Sequence, residues 1–164
     1  MSMPSKVIAH RGASADAPEN TLPAFKLAWQ QGADGVECDV RLTGDCQVVC
    51  MHDADTARVA DRSLTVEKHS YTELRELDVG TWKGPEYADT RIPLLSDLLA
   101  ASPFGKQVLV EVKTTVEILP ALLQVLDEAQ VDLRVVTVIA FDVEVVRSLK
   151  QQRPELHAYW LIDV

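Results

Sequence analysis

Short segments rich in Val and Ile recur along this chain, and most have one apolar face and one face bearing ionisable groups near the C-terminal end. In a strand, residues i and i+2 share a face. Within residues 36–40, Glu37 and Asp39 therefore point one way while Val36, Cys38 and Val40 point the other. Within 108–113, Glu111 and Lys113 share the face of Leu109, opposite Val108, Val110 and Val112. His10 ends the segment 7–10 on the face of Ile8, and His52 ends 47–52 on the face of Val48 and Cys50. Segments 135–141 and 158–162 bring the strand candidates to six.

Amphipathic stretches separate them. Thr21 suits an N-cap, Pro23 falls in the first turn, Leu22, Phe25 and Trp29 share a face, and Gly32 ends the helix. Ser70 and Glu73 have capping-box spacing, and further helices are predicted over 117–129 and 143–152, the last stopped by Pro154. Repeated strand–helix–strand order predicts a parallel sheet in an α/β fold. An open doubly wound sheet would be apolar on both faces of its central strands, and the chain has no GxGxxG or GxxxxGK[ST] loop. One apolar face with chemistry at the strand C-termini fits a TIM (β/α)8 barrel. After the third strand candidate, residues 54–91 carry one short helix signal, and so long a connection reads as a small insertion.

The surroundings of this chain are bounded by composition. It has 164 residues, 47% apolar, enough for one domain, read as 1–164, with a core that needs no disulfides. Net charge is −9 with no Lys/Arg run, which argues against a nucleic-acid or anionic-membrane surface. The first residues lack the apolar stretch of a leader, and no apolar run approaches the ~20 residues that span a bilayer. Cys38, Cys46 and Cys50 form no CxxC pair and read as free thiols of a reducing compartment, so a cytoplasmic location without membrane insertion is expected.

The carboxylates of Glu37, Asp39 and Glu111 would meet on neighbouring strands. Two such charges repel by about 1 kcal/mol at 4 Å even in water, and more when partly buried. Lys113 and Arg11 could neutralise them by salt bridges; a divalent cation is the better solution, and all-oxygen ligation favours Mg²⁺, Ca²⁺ or Mn²⁺ over zinc. His10 and His52 at the same rim could exchange protons, and Arg11 before Gly12 could hold an anionic oxygen. This set suits hydrolysis of a phosphodiester.

His10-Arg11-Gly12, Pro18-Glu19-Asn20-Thr21, Glu37-Cys38-Asp39, His52-Asp53 and Glu111-Val112-Lys113 follow one another in an order that resembles the glycerophosphodiester phosphodiesterase signature of the cytoplasmic bacterial type. The similarity runs through Leu77–Trp82 and Ile92–Leu95 as well. It implies a TIM-barrel enzyme that hydrolyses glycerophosphodiesters, its small-molecule substrates, to sn-glycerol 3-phosphate and an alcohol. By resemblance His10 and His52 are the acid/base pair, Glu37, Asp39 and Glu111 hold Ca²⁺ or Mg²⁺, Arg11 and Lys113 contact phosphate, and Glu19 supports the site. Ala140 stands where such enzymes often carry Ser, and Leu95 where Thr is common. The sequences that end the family barrel are not found, so the chain is expected to carry strands 1–6 and to lack the last two βα units. Alternatives are a phospholipase C- or D-like lipid phosphodiesterase on the same barrel and a non-catalytic phosphate- or metal-binding remnant. His69 and His157 read as exposed loop residues, Trp29 and Trp160 as packing between barrel and helices, Trp82 as packing or as a wall of the glycerol pocket, and Cys38 as a core residue.

Overall fold

The computed structural model describes residues 5–163; residues 1–4, part of the segment read for a leader, and Val164 lie outside the described part. Strands β1 (Ile8–Ala9), β2 (Gly35–Leu42), β3 (Val48–Cys50), β4 (Gln107–Val112), β5 (Val136–Ala140) and β6 (His157–Trp160) form one sheet. Five of them run parallel in the order β1-β2-β4-β5-β6. Helices α1 (Leu22–Gln30), α3 (Leu95–Ala101), α4 (Leu119–Glu128) and α5 (Val143–Gln152) lie in the connections between successive parallel strands. This is the wall of a (β/α) barrel.

The third strand differs from the expected parallel pattern. It runs antiparallel to β2, with Val40 opposite Cys50 and Leu42 opposite Val48. Residues 43–47 are all that separates the two strands, and a parallel crossover needs about a dozen residues or more. A hairpin is the only geometry this connection allows. β3 therefore lies outside the parallel wall and ends at its rim.

Alternation along the strands sorts their side chains as the pattern requires. Val36, Cys38 and Val40 of β2, Val108, Val110 and Val112 of β4, and Val136, Val138 and Ala140 of β5 are buried in one core with Phe25, Leu98, Leu122, Leu126 and Leu149 of the helices. Helix α1 starts where Thr21 accepts a hydrogen bond from the Ala24 N–H, with Pro23 in the first turn. Asp142 caps α5 by accepting from the Glu144 N–H.

Between β3 and α3 the chain makes an excursion with a second, smaller core of Val49, Met51, Val59, Val66, Leu74, Leu77, Val79 and Ile92. Helix α2 (Tyr71–Arg75) begins there with the Ser70–Glu73 capping box. Val48 and Cys50 face the main core while Val49 and Met51 face the small one, so β3 is shared between them. The excursion closes where the Cys50 N–H donates to the Pro93 carbonyl.

Cys38 is buried in the main core, and Trp29 packs against it half-buried. Trp160, expected to pack under a helix, is 55% exposed, because β6 is an outer strand of the sheet. Its indole N–H donates to the Phe141 carbonyl instead. His157 opens β6 rather than lying in a loop and is exposed; His69 is half-buried, its Nδ1 2.8 Å from the Thr65 carbonyl.

Candidate active site at the strand ends

Parallel register brings the carboxylates together. Glu37 lies opposite Leu109, and two residues further Asp39 lies opposite Glu111. Oxygen atoms of Glu37, Asp39 and Glu111 all lie within 4.8 Å of one another, and the three residues are buried.

Cations answer part of this charge. Arg11 Nε lies 3.0 Å from Asp39 Oδ2, and Lys113 Nζ lies 2.7 Å from Glu111 Oε1 and 3.7 Å from Asp39 Oδ1. The Arg11 N–H also donates to Glu37 Oε2. Even so, Glu37 Oε1 and Asp39 Oδ1 are buried without a hydrogen-bond partner among the described residues. Burial and the neighbouring Asp39 push the Glu37 carboxyl up to about 7, against the pull of the Arg11 N–H. Three clustered carboxylates, two of them with unpartnered buried oxygens, are the donor set a hard divalent cation takes. Salt bridges and room for a cation thus coexist.

Asp39 is the most firmly held of the three. Asn20 Nδ2 donates to Asp39 Oδ2 at 2.8 Å, and the Asp39 N–H donates to Asn20 Oδ1 at 3.0 Å. Asn20 reaches this position in the left-handed region, at φ 56°, a conformation Asn tolerates better than most residues. Arg11, at φ 57°, and Gly12, at φ 76°, turn the chain just before it. A Cβ on Gly12 would lie 2.6 Å from the Ala24 backbone, so this turn requires glycine.

The two histidines sit differently. His10 follows β1 with its side chain 67% exposed, Nε2 3.8 Å from Glu37 Oε2. His52 lies beyond the end of β3, where bends at 52–54 release it from the strand alternation that would have sent it toward the main core. Arg41 Nε donates to its carbonyl, and its Nδ1 lies 2.6 Å from Asp53 Oδ1. Glu19 accepts from Arg11 Nη1 and from both Nη atoms of Arg58. The structure brings Arg11, Glu37, Asp39, Glu111 and Lys113 into direct contact with one another, with Glu19 and His10 each touching one member, whereas His52 joins them through Asp53, Arg58 and Glu19.

Asn20, Arg41, Asp53 and Arg58 are parts of this arrangement to which sequence reasoning gave no separate role. Asn20 and Asp53 stand inside the quoted motifs, which is the signal that could have found them. Arg41 continues the Glu37, Asp39 alternation by one more step. Arg58 carries no such periodic signal.

A parallel barrel wall with acidic, cationic and imidazole groups at its C-terminal rim defines the class: a TIM-barrel protein with a buried acidic cluster that could hold a metal ion. Residues 10–157 match the glycerophosphoryl diester phosphodiesterase family, and the chain belongs to it. A glycerophosphodiester phosphodiesterase of Caldanaerobacter subterraneus subsp. tengcongensis is 35% identical over 161 residues, covering 94% of this chain and 65% of that protein. One from Bacillus altitudinis is 38% identical over 95 residues, covering 58% and 39%. Among solved structures, an Oleispira antarctica phosphodiesterase in complex with the product sn-glycerol-3-phosphate is 34% identical with a TM-score of 0.90, over 98% of this chain and 67% of that one. This chain thus spans about two-fifths to two-thirds of the length of these curated relatives.

Proposed function

We propose that this chain carries the catalytic centre of a metal-dependent glycerophosphodiester phosphodiesterase, releasing sn-glycerol 3-phosphate and an alcohol. The observation that carries this reading is the buried Glu37, Asp39, Glu111 cluster with two unpartnered oxygens, set at the same rim as two histidines and two cations. The product-bound Oleispira antarctica relative supports the substrate class. Glu37, Asp39 and Glu111 would hold Ca²⁺ or Mg²⁺, which when bound supplies positive charge next to the phosphodiester oxygens. Lys113 and Arg11 hold the anionic oxygens, and Glu19 braces Arg11. In net hydrolysis water adds to phosphorus and the bond to the alcohol oxygen breaks. One histidine takes the proton from the attacking oxygen and the other gives one to the departing alcohol. The domain is taken as 1–164 with 54–91 as the insertion. Among the described residues no helix is long and apolar enough to cross a membrane. We assign a cytoplasmic location and no nucleic-acid partner, on the free thiols and the net charge of −9.

The test is release of glycerol 3-phosphate from glycerophosphocholine by the purified chain. EDTA should abolish it and added Ca²⁺ or Mg²⁺ should restore it. Turnover untouched by EDTA would remove the metal assignment, and faster turnover of the intact lipid than of the deacylated diester would shift the substrate class.

Metal binding should also depend on pH in a direction set by Glu37. Its carboxyl titrates near 7 in the metal-free fold, against 4.5 as its ordinary value. Between those values the folded chain binds the extra proton, so this group erodes the stability of the metal-free protein as pH rises through them. A cation must displace that proton. Apparent affinity should therefore weaken by up to about tenfold per pH unit below 7, and the rise in melting temperature on adding Ca²⁺ or Mg²⁺ should grow from pH 5.5 to 8. Calorimetric titration across that range checks it; a flat profile would contradict it.

A further inference from the structure

One residue of the excursion reaches the site without belonging to any of the motifs that define it. Arg58 lies between β3 and α2, 44% exposed at its side chain. Its two edges serve different carboxylates. Nη1 and Nη2 donate to Glu19 Oε2 and Oε1 at 2.8 Å each, and Nε donates to Asp53 Oδ2 at 2.7 Å. Asp53 Oδ1 in turn lies 2.6 Å from His52 Nδ1.

These contacts complete a belt of alternating charge around the rim. It runs from Asp39 to Arg11 at 3.0 Å, Arg11 to Glu19 at 3.0 Å, Glu19 to Arg58, Arg58 to Asp53, and Asp53 to His52. One end is a member of the carboxylate cluster and the other is a histidine. Arg58 joins Glu19 to Asp53 across 39 and 5 residues of sequence respectively.

We propose that Arg58 is a positioning residue for His52: by clamping Asp53 against Glu19 it holds the His52 ring with Nδ1 as the proton donor to Asp53 and Nε2 as the free, proton-accepting nitrogen. The role of His52 itself rests on the proposed function above; the clamp does not.

The chemistry of the guanidinium explains why this position takes arginine. A planar fork can present a bidentate edge to one carboxylate and its Nε–H to a second at the same time, with geometry fixed by the plane. A lysine ammonium is a point charge on a flexible stem and would favour one carboxylate over the other. An exposed ion pair is ordinarily worth little to stability, so the expected consequence is not a large loss of fold. It is a loss of ring orientation. An imidazole with Nδ1 held by a carboxylate is fixed in one neutral tautomer; a loosened carboxylate lets both tautomers populate. Hydrogen bonds to Arg58, set against partial burial, hold Glu19 below the usual carboxylate range; Asp53, whose partial burial acts the other way, is likewise held low by Arg58 and His52, so both carboxylates are charged at neutral pH and the clamp is intact there.

The experiment uses the full chain and three variants, Arg58→Met, Arg58→Lys and Asp53→Asn, each checked for its melting temperature. Two readouts are taken. Long-range ¹H–¹⁵N correlation spectra of the substrate-free protein should show His52 in a single Nδ1–H tautomer, turning into a mixture in Arg58→Met and Asp53→Asn. Hydrolysis of glycerophosphocholine should fall about 10- to 100-fold in kcat for Arg58→Met with KM changed less than about threefold, and Arg58→Lys should lie between the two. A His52 tautomer unchanged in Arg58→Met, or a kcat within twofold of the parent, would overturn the proposal. If the parent chain shows no hydrolysis, the functional reading fails, and the tautomer readout still decides the clamp.

Discussion

Replacing Asp39 with Ala should remove the metal-induced rise in melting temperature, abolish turnover, and destabilise the metal-free chain by about 3 kcal/mol. Asp39 is fully buried and is held from three sides, by Arg11, Lys113 and both polar ends of the Asn20 amide. Taking one partner out of a buried, hydrogen-bonded charge network typically costs about 3–5 kcal/mol; here the Asn20 amide N–H loses its acceptor, while Arg11 and Lys113 keep Glu19 and Glu111 as partners. One effect opposes this. Asp39 and Glu37 repel, and without Asp39 the Glu37 carboxyl ionises more easily. That relief places the expected cost at the low end of the range. At about 2–4 °C per kcal/mol for a chain of this size, the melting temperature should drop by roughly 6–12 °C. Glu111→Gln tests the same cluster from its neighbour and should destabilise less, since among the described residues Glu111 pairs with Lys113 alone while Asp39 has Arg11, Lys113 and Asn20. Thermal unfolding with and without Ca²⁺ measures both. An Asp39→Ala protein as stable as the parent and still shifted by Ca²⁺ would mean that the ion binds elsewhere.

Why that cluster could be seen in the sequence, and its bracing could not, follows from which interactions are periodic. Glu37, Asp39 and Glu111 were legible because a strand has a period of two and each of these strands has a wholly apolar opposite face. The helix-facing burial of Val36, Cys38, Val40, Val108, Val110 and Val112 realises that pattern directly. Helices α1 and α5 and the α2 cap were legible through Thr21, Pro23, Ser70, Glu73 and the stop at Pro154.

The direction of β3 was also written in the sequence, in the five residues 43–47, but as a length and not as a pattern. An expectation built on strand–helix alternation passes over it. The consequence is functional. A parallel strand would have delivered His52 by alternation, whereas the hairpin delivers it through the bends after Cys50, with its carbonyl held by Arg41. Trp160 departs from expectation for a different reason: its register partner Ala140 faces the core, but burial depends on what lies over the strand. Long-range polar pairs such as Asn20 with Asp39 or Arg58 with Glu19 have no period at all. They are set by where turns place single side chains, and only the folded chain shows them.

The same geometry separates the two histidines in the proposed reaction. Each single replacement, His10→Ala and His52→Ala, should lower kcat on glycerophosphocholine by about 10²–10⁴-fold, the range for losing a positioned acid or base. The double variant should lose less than the product of the two, because the steps they serve are joined in one reaction. On the proposed function, their environments would divide the roles. His52 has Nδ1 engaged by Asp53, which leaves Nε2 to accept a proton, as in a triad in which a carboxylate orients the base. His10 stands 3.8 Å from Glu37 and is open to solvent, where it can carry a proton to the departing alcohol. A diester with a 4-nitrophenolate leaving group needs no proton on departure. On that substrate His10→Ala should recover most of the lost rate, while His52→Ala stays impaired. Recovery by His52→Ala alone would exchange the two roles, and parent-like rates in both variants would take the histidines out of the chemistry.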